Sequence, residues 1–229
     1  MISFNDMLLK NKHSLVISLP ANDAALARLS WQEGADAVKV HINVSHKASG
    51  RTFGSFAEEK DVLTQIISEA KGPCGIVPGT DVGIVERDYA SVISAGFNFI
   101  SLYAHDMPLS LINDGQSVKM VAFDSSYDVS YLKYLSKIGA DVLEASVMKP
   151  DSYGTRLSAK DLLVYSEICA NTSLPVLVPT QRNIPVSEIQ NLANCGVKAT
   201  MIGAIVTGTT EETIKRAVAG YRNAIDKLK

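Results

Sequence analysis

One junction, repeated six times, restricts this chain more than any other feature: a helical pattern ends, a glycine follows, and a short β-rich run begins. It reads "EGADAVKV", "KGPCGIV", "AGFNFISL", "DGQSVKMV", "IGADVLEA" and "CGVKATMI". A glycine just past a helix takes the left-handed conformation that ends it, and the apolar run after it reads as a buried strand. Two further strands, "SLVISL" at 14–19 and "LPVLVP" at 174–179, bring the number to eight. Helical periodicity covers roughly 22–33, 56–71, 86–95, 129–138, 158–170, 185–195 and 210–228, with a short, weak segment near 108–114. Start signals support several of these: "SAKD" at 158–161, "TTEE" at 209–212, and Pro185 at a first helical position. Eight alternating strand–helix units with no linker or low-complexity break predict an α/β fold in which residues 1–229 form one domain, a single (β/α)₈ TIM barrel. The competing architecture is an open doubly wound sheet. The count of eight, and the lack of a G-x-G-x-x-G turn after the first strand, favour the barrel.

Composition narrows the partners. With 229 residues and 46% hydrophobic content the chain can bury a large core, and a net charge of −2 leaves no broad basic field for nucleic acid or a membrane surface. No apolar run reaches the length of a membrane span, and "MISFNDMLLKNKHS" lacks the pattern of a secretory signal. Cys74, Cys169 and Cys195 are few, odd in number and without CxxC spacing, which fits reduced thiols. A soluble, cytoplasmic protein is expected.

A barrel dictates where side chains go. Alternate strand residues face the helix layer, which must be apolar, so Val38, Val40, Ile42 and Val44 are expected outward and Lys39, His41 and Asn43 inward. Their order along the strand puts His41 and Asn43 near its C-terminal end, where barrel enzymes build their sites, with Lys39 deeper. A lysine there must find a carboxylate or a ligand anion. "DVLEASVM" offers the carboxylate, because Leu143, Ala145 and Val147 claim the helix side and send Glu144 and Ser146 inward. Asp124 ends the fifth strand, His105 and Asp106 follow the fourth, and Ser18 lies in the first. The plain structural alternative is a buried Lys39–Glu144 ion pair that only fills the interior. Such a pair is a poor way to stabilise a core, since desolvation largely cancels the attraction.

Two loops complete the expected mouth. In "ATMIGAIVTGTTEETIKRAV" the chain passes from the eighth strand through Gly203 into a short turn and the last helix, an arrangement that lets backbone N–H groups approach an anion. The segment "SHKASGRTFGS" after the second strand carries Lys47 and Arg51 between glycines and reads either as a lid that closes over an anion or as a solvated connection.

On these residues the sequence resembles the ribulose-phosphate-binding barrels. "GADAVKVHINV" is similar to the second strand of ribulose-phosphate 3-epimerases, and residues 174–208 are similar to the last quarter of N-acetylmannosamine-6-phosphate 2-epimerases. The resemblance implies a phosphate held by Gly203 and Ala204, with Thr180, Gln181 and Arg182 contributing from the turn after strand seven. The metal-binding histidine and catalytic aspartate of the first family are replaced by Lys39 and His41, and the catalytic lysine and glutamate of the second are missing. A second resemblance, to class I aldolase barrels, rests on the same "GAD" strand; the Schiff-base lysine those enzymes commonly carry on strand six is replaced by Glu144, which leaves Lys39 as the substitute.

Three readings follow. The first is an isomerase or epimerase acting on a small phosphorylated sugar, with Glu144 as base, His41 as acid or shuttle, Lys39 as charge stabiliser, Asp124 in reserve, and Asn43, Arg51, Ser146, Thr180, Arg182, Gly203 and Ala204 binding substrate or phosphate. The second is a Schiff-base aldolase or lyase using Lys39. The third is a barrel that binds a phosphorylated metabolite without turning it over. No organic cofactor is expected, a divalent metal stays open, and so does pairing into a homo-oligomer.

Overall fold

The computed structural model describes residues 2–229. The strands are β1 (Ser14–Ser18), β2 (Ala37–His41), β3 (Cys74–Val77), β4 (Phe99–Tyr103), β5 (Val118–Phe123), β6 (Val142–Ala145), β7 (Val176–Pro179) and β8 (Ala199–Ile202). All pair in parallel with their sequence neighbours, and β1 pairs with β8, so the sheet closes into the expected eight-stranded (β/α)₈ barrel. Around it lie α1 (Phe4–Lys10), α2 (Ala24–Gln32), α3 (Phe56–Ser68), α4 (Val82–Ala95), α5 (Leu109–Ile112), α6 (Ala159–Ala170), α7 (Ile189–Asn194), α8 (Ala204–Thr207) and α9 (Glu211–Asp226).

The alternation of the strands splits the buried side chains into two populations. Leu15, Ile17, Val38, Val40, Ile76, Ile100, Val121, Leu143, Val178 and Ile202 pack outward against the helices. Val16, Ala37, Phe99, Met120, Val142, Leu177, Ala199 and Met201 point inward. The lower interior is therefore apolar, and polar residues begin one layer higher, at Ser18, Lys39, Ser101 and Glu144.

The bottom of the barrel is closed by α1, an element that the sequence reading passed over. Ser3 caps it by accepting from the Asp6 N–H, and Phe4, Met7 and Leu8 lie on one face at helical spacing. They enter the barrel end, where the Phe4 ring stacks on Phe99 with centroids 3.8 Å apart. Phe4 and Leu8 are fully buried, which contributes about 1.5–3 kcal/mol each relative to exposure.

Five of the six junction glycines, Gly34, Gly96, Gly115, Gly139 and Gly196, have the positive φ expected of a helix end. Gly72 does not, and is required for a different reason: a Cβ there would lie 2.3 Å from the Asp36 carbonyl oxygen. The segment 129–138 winds as a 3₁₀ helix rather than an α-helix. Its aliphatic residues Val129, Leu132, Leu135 and Ile138 recur every third position, which is the 3₁₀ period. The capping box of α6, Ser158 with Asp161, forms as the sequence predicts, whereas α9 is capped by Thr210 with Thr213.

Candidate active site

A cavity of about 280 Å³ opens at the C-terminal end of the barrel strands, and its floor is the polar layer. Lys39 and Glu144, each 5% exposed, meet there with Nζ and Oε2 3.5 Å apart. β2 and β6 stand four strands apart in a ring of eight, so this pair spans the barrel axis. The Glu144 carboxylate is held from both sides: the Ser101 hydroxyl donates to Oε2 at 2.8 Å and the Ser146 hydroxyl to Oε1 at 2.8 Å. With both oxygens engaged, the carboxylate keeps one orientation at the cavity wall.

His41 is the other strand-two residue on the cavity. Its backbone is clamped by Asn22, which donates to the His41 carbonyl at 2.7 Å and accepts from its N–H at 3.3 Å. The ring is buried, Nε2 lies 3.5 Å from the Ser18 hydroxyl, and Nδ1 has no hydrogen-bond partner among the described residues. Burial first, then the charge of Lys39 and the neighbouring His46, push its pKa well below the ordinary histidine value. The imidazole is therefore neutral at working pH.

On the far wall Tyr103 from β4 and Tyr153 from the loop after β6 face the cavity. Burial raises the pKa of both phenols, helped by the Glu144 charge, so both remain hydrogen-bond donors. Gln181 ties the β7 loop to the end of β6: its Nε2 donates to the Ser146 carbonyl and to the Tyr153 hydroxyl, and its Oε1 accepts from the Met148 N–H at 3.0 Å. Thr180 accepts from the Gly203 N–H at 3.0 Å, which joins the β7 turn to the entry of α8. Thr180, Ser146, Gly203 and Ala204 all line the cavity. Among the described residues no three His, Cys, Asp or Glu side chains come together as a metal-binding set.

Four residues expected at the site lie elsewhere. Asn43 has left the strand: β2 ends at His41, and Asn43 takes a positive φ of 55°, which breaks the alternation. Its amide turns away to the Pro78 carbonyl at 2.9 Å and Asp88 at 2.8 Å, and Val44, expected outward, lines the cavity instead. Arg51 is exposed on the outer strand of a small hairpin. Arg182 is spent on structure, bonded to Asp161 at 2.9 Å and to the Ser152 carbonyl at 3.3 Å, because the β6 loop needs a cation to hold it against α6. Asp124 folds back on its own turn, accepting from the Ser126 hydroxyl at 2.6 Å and the Ser126 N–H at 2.8 Å, with the largely exposed His105 3.9 Å away. His105 and Asp106, like Asp124, lie outside the cavity lining.

Ser101, Tyr103, Tyr153 and His46 are among the cavity residues that the sequence does not single out. Ser101 and Tyr103 were within reach, since Ile100 and Leu102 alternate with them as the valines do with Lys39. Tyr153 and His46 sit on loops, where no periodicity gives them away. His46 belongs to the segment read as a lid. That segment is an antiparallel hairpin, Ser45–His46 against Arg51–Thr52, which lies down over the cavity.

No family model matches the chain, and no curated protein sequence matches it. Solved structures do. Thiamine phosphate pyrophosphorylase from Pyrococcus furiosus superposes with a TM-score of 0.67 at 17% identity, over 96% of this chain and 98% of that one. Tryptophan synthase from Mycobacterium tuberculosis gives a TM-score of 0.75 at 14% identity over 96% of each chain. The tryptophan synthase A-subunit from P. furiosus gives 0.70 at 12% identity, over 93% of this chain and 99% of that one. At such identities the likeness is one of fold, the (β/α)₈ barrel.

Proposed function

We propose that the protein is an enzyme that moves a proton next to the carbonyl of a small phosphorylated sugar, as an isomerase or epimerase. The observation that carries this reading is the Lys39–Glu144 pair, an ammonium and an oriented carboxylate 3.5 Å apart on the floor of a cavity of about 280 Å³ at the catalytic end of a barrel. Glu144 takes the carbon-bound proton. The electron pair left behind moves onto the carbonyl oxygen, and Lys39 stabilises the enediolate charge that forms there. His41, kept neutral by burial, polarises the carbonyl as a hydrogen-bond donor rather than as a cation. Returning the proton to the same carbon gives epimerisation, and to its neighbour isomerisation. The phosphate end is assigned to the α8 entry at Gly203 and Ala204, with the Ala204 N–H as donor because the Gly203 N–H already bonds Thr180; both residues line the cavity, and Arg182 is engaged elsewhere.

The likeness of residues 34–44 and 174–208 to sugar-phosphate epimerases supports the substrate class, and the name of one structural neighbour, thiamine phosphate pyrophosphorylase, also refers to a phosphorylated compound. A second reading has one observation in its favour. Among the described residues Lys39 has a single partner, at the 3.5 Å limit of a hydrogen bond, and lines the cavity, as an amine that attacks a carbonyl would.

Incubation with pentose and hexosamine phosphates in deuterium oxide tests the first reading. Deuterium should enter next to the carbonyl with wild-type protein and not with Glu144→Gln. No exchange into any ketose phosphate refutes it. Borohydride in the same mixtures should leave Lys39 unmodified; mass added there establishes the lyase instead. Tight phosphate-dependent binding with neither result identifies a non-catalytic barrel.

A further inference from the structure

The hairpin after β2 delivers a second imidazole to the cavity, and its construction differs from that of a loose connection. Its base is fastened by the Asn43 N–H to the Gly54 carbonyl and the Phe53 N–H to the Val44 carbonyl, both 2.8 Å. Asn43, in its left-handed conformation, is anchored to Pro78 and Asp88. Phe53 is buried, with its ring 5.0 Å from that of His41. The hairpin thus leaves β2 at a fixed angle and folds back over the strand end. At its tip the Lys47 ammonium lies over the Tyr153 ring, 5.8 Å from the centroid, which bridges the mouth from the β2 side to the β6 side.

His46 is half-buried in this arrangement. Its ring lies 4.6 Å from the His41 ring and borders the cavity. Nδ1 is paired with the Ser49 hydroxyl at 2.8 Å, while Nε2 has no partner among the described residues. When Ser49 accepts from Nδ1–H, Nε2 is left with its lone pair. The ring borders the same cavity as Glu144, whose charge acts on it.

We infer that His46, carried in by the hairpin, is a further catalytic residue that shuttles the hydroxyl proton of the substrate while Glu144 handles the carbon-bound one. The inference rests on the proton-transfer reading above. In the step, the substrate O–H bond breaks and an Nε2–H bond forms, giving an imidazolium in the same cavity as the Glu144 carboxylate. The proton is then returned to the neighbouring oxygen, the ring is neutral again, and nothing is oxidised or reduced. His46 starts neutral because burial, with Lys39 nearby, lowers its pKa to about 4 despite the opposing effect of Glu144. Ser49 is a positioning residue for this ring.

Two measurements on the full-length protein test the role. In the deuterium assay, with ketose phosphates as substrates, His46→Gln should lower kcat at least 100-fold with KM changed less than 5-fold. Ser49→Ala, which keeps the ring and loses only its tether, should lower kcat about 10-fold. Unchanged kcat in His46→Gln overturns the inference and leaves the proposed reaction standing. The second measurement needs no turnover. Diethyl pyrocarbonate should carbethoxylate His46 ahead of His41, and the same sugar phosphates at millimolar concentration should protect it. Protection without exchange removes the proposed reaction but keeps His46 at the ligand, whereas equal modification with and without every ligand overturns its place in the site.

Discussion

Replacing Glu144 by glutamine separates the charge of the central pair from its shape. The amide is nearly isosteric, and the hydroxyls of Ser101 and Ser146, 2.8 Å away, can rotate to accept from the new NH₂ or donate to the remaining oxygen. What disappears is, among the described residues, the only anion within ion-pair distance of Lys39, a residue 5% exposed. Removing one partner of a buried pair costs about 3–5 kcal/mol, because the survivor must stay charged without compensation or give up its proton. Access from the cavity favours the lower end, so about 3 kcal/mol is expected, which for a chain of this size corresponds to a fall in Tm of about 6–12 °C. Lys39→Met should cost less, since Glu144 retains both serine donors. The double variant K39M/E144Q has no stranded charge and should recover at least half of the loss seen in E144Q. Urea unfolding, with the slope m constant across the set, measures all four corners of this cycle. If E144Q lies within about 0.5 kcal/mol of wild type, or K39M/E144Q is as unstable as the sum of the singles, Lys39 and Glu144 are not coupled and the argument for a charged cavity floor fails.

Three other perturbations probe parts that shape the barrel. Phe4→Ala removes the ring that stacks on Phe99 at the barrel bottom and should cost about 3–5 kcal/mol by urea unfolding, while a loss under 1 kcal/mol would show that α1 is not a plug. Gly75→Ala places a Cβ 2.1 Å from the Phe99 ring, so a loss of about 1–3 kcal/mol is expected, and near-neutral stability would mean that this ring moves freely. His13 is buried between the Val197 carbonyl at 3.0 Å and the Thr200 hydroxyl at 2.8 Å, and burial lowers its pKa to about 4. Because the unfolded chain binds that proton more readily, stability is full above the unfolded value near 6.5 and falls by roughly 1.4 kcal/mol per pH unit down to about 4. His41 and His46, also depressed, add to the same acid limb, so His13→Gln should reduce its slope by about 1.4 kcal/mol per pH unit rather than abolish it; an unchanged slope in urea titrations would refute the assignment.

What was legible in the sequence divides along a physical line. Inside strands, burial on one side and the period of two leave a side chain no freedom, so Lys39, His41 and Glu144 could be directed inward from the valines and leucines beside them, and Ser146, one residue past the end of β6, keeps the phase. The same rule failed at Asn43 and Val44 because they lie two and three residues past the end of β2, where a left-handed residue resets the phase. Cations were harder than carboxylates. Arg51 and Arg182 have the right chemistry for phosphate, yet an arginine satisfies any nearby acceptor, and Arg182 finds Asp161 and the Ser152 carbonyl first. The 3₁₀ helix at 129–138 carried its signal openly, since residues 129, 132, 135 and 138 keep a strict spacing of three, but 3.0 and 3.6 are hard to tell apart over ten residues. Loops obey no period at all. Whether a histidine in "SHKASG" hangs in water or closes on a cavity is decided by a hairpin register, by one positive φ and by a phenylalanine buried behind it. The floor of this site is thus written in the alternation of its strands, while its roof is written in contacts that exist only once the barrel has closed.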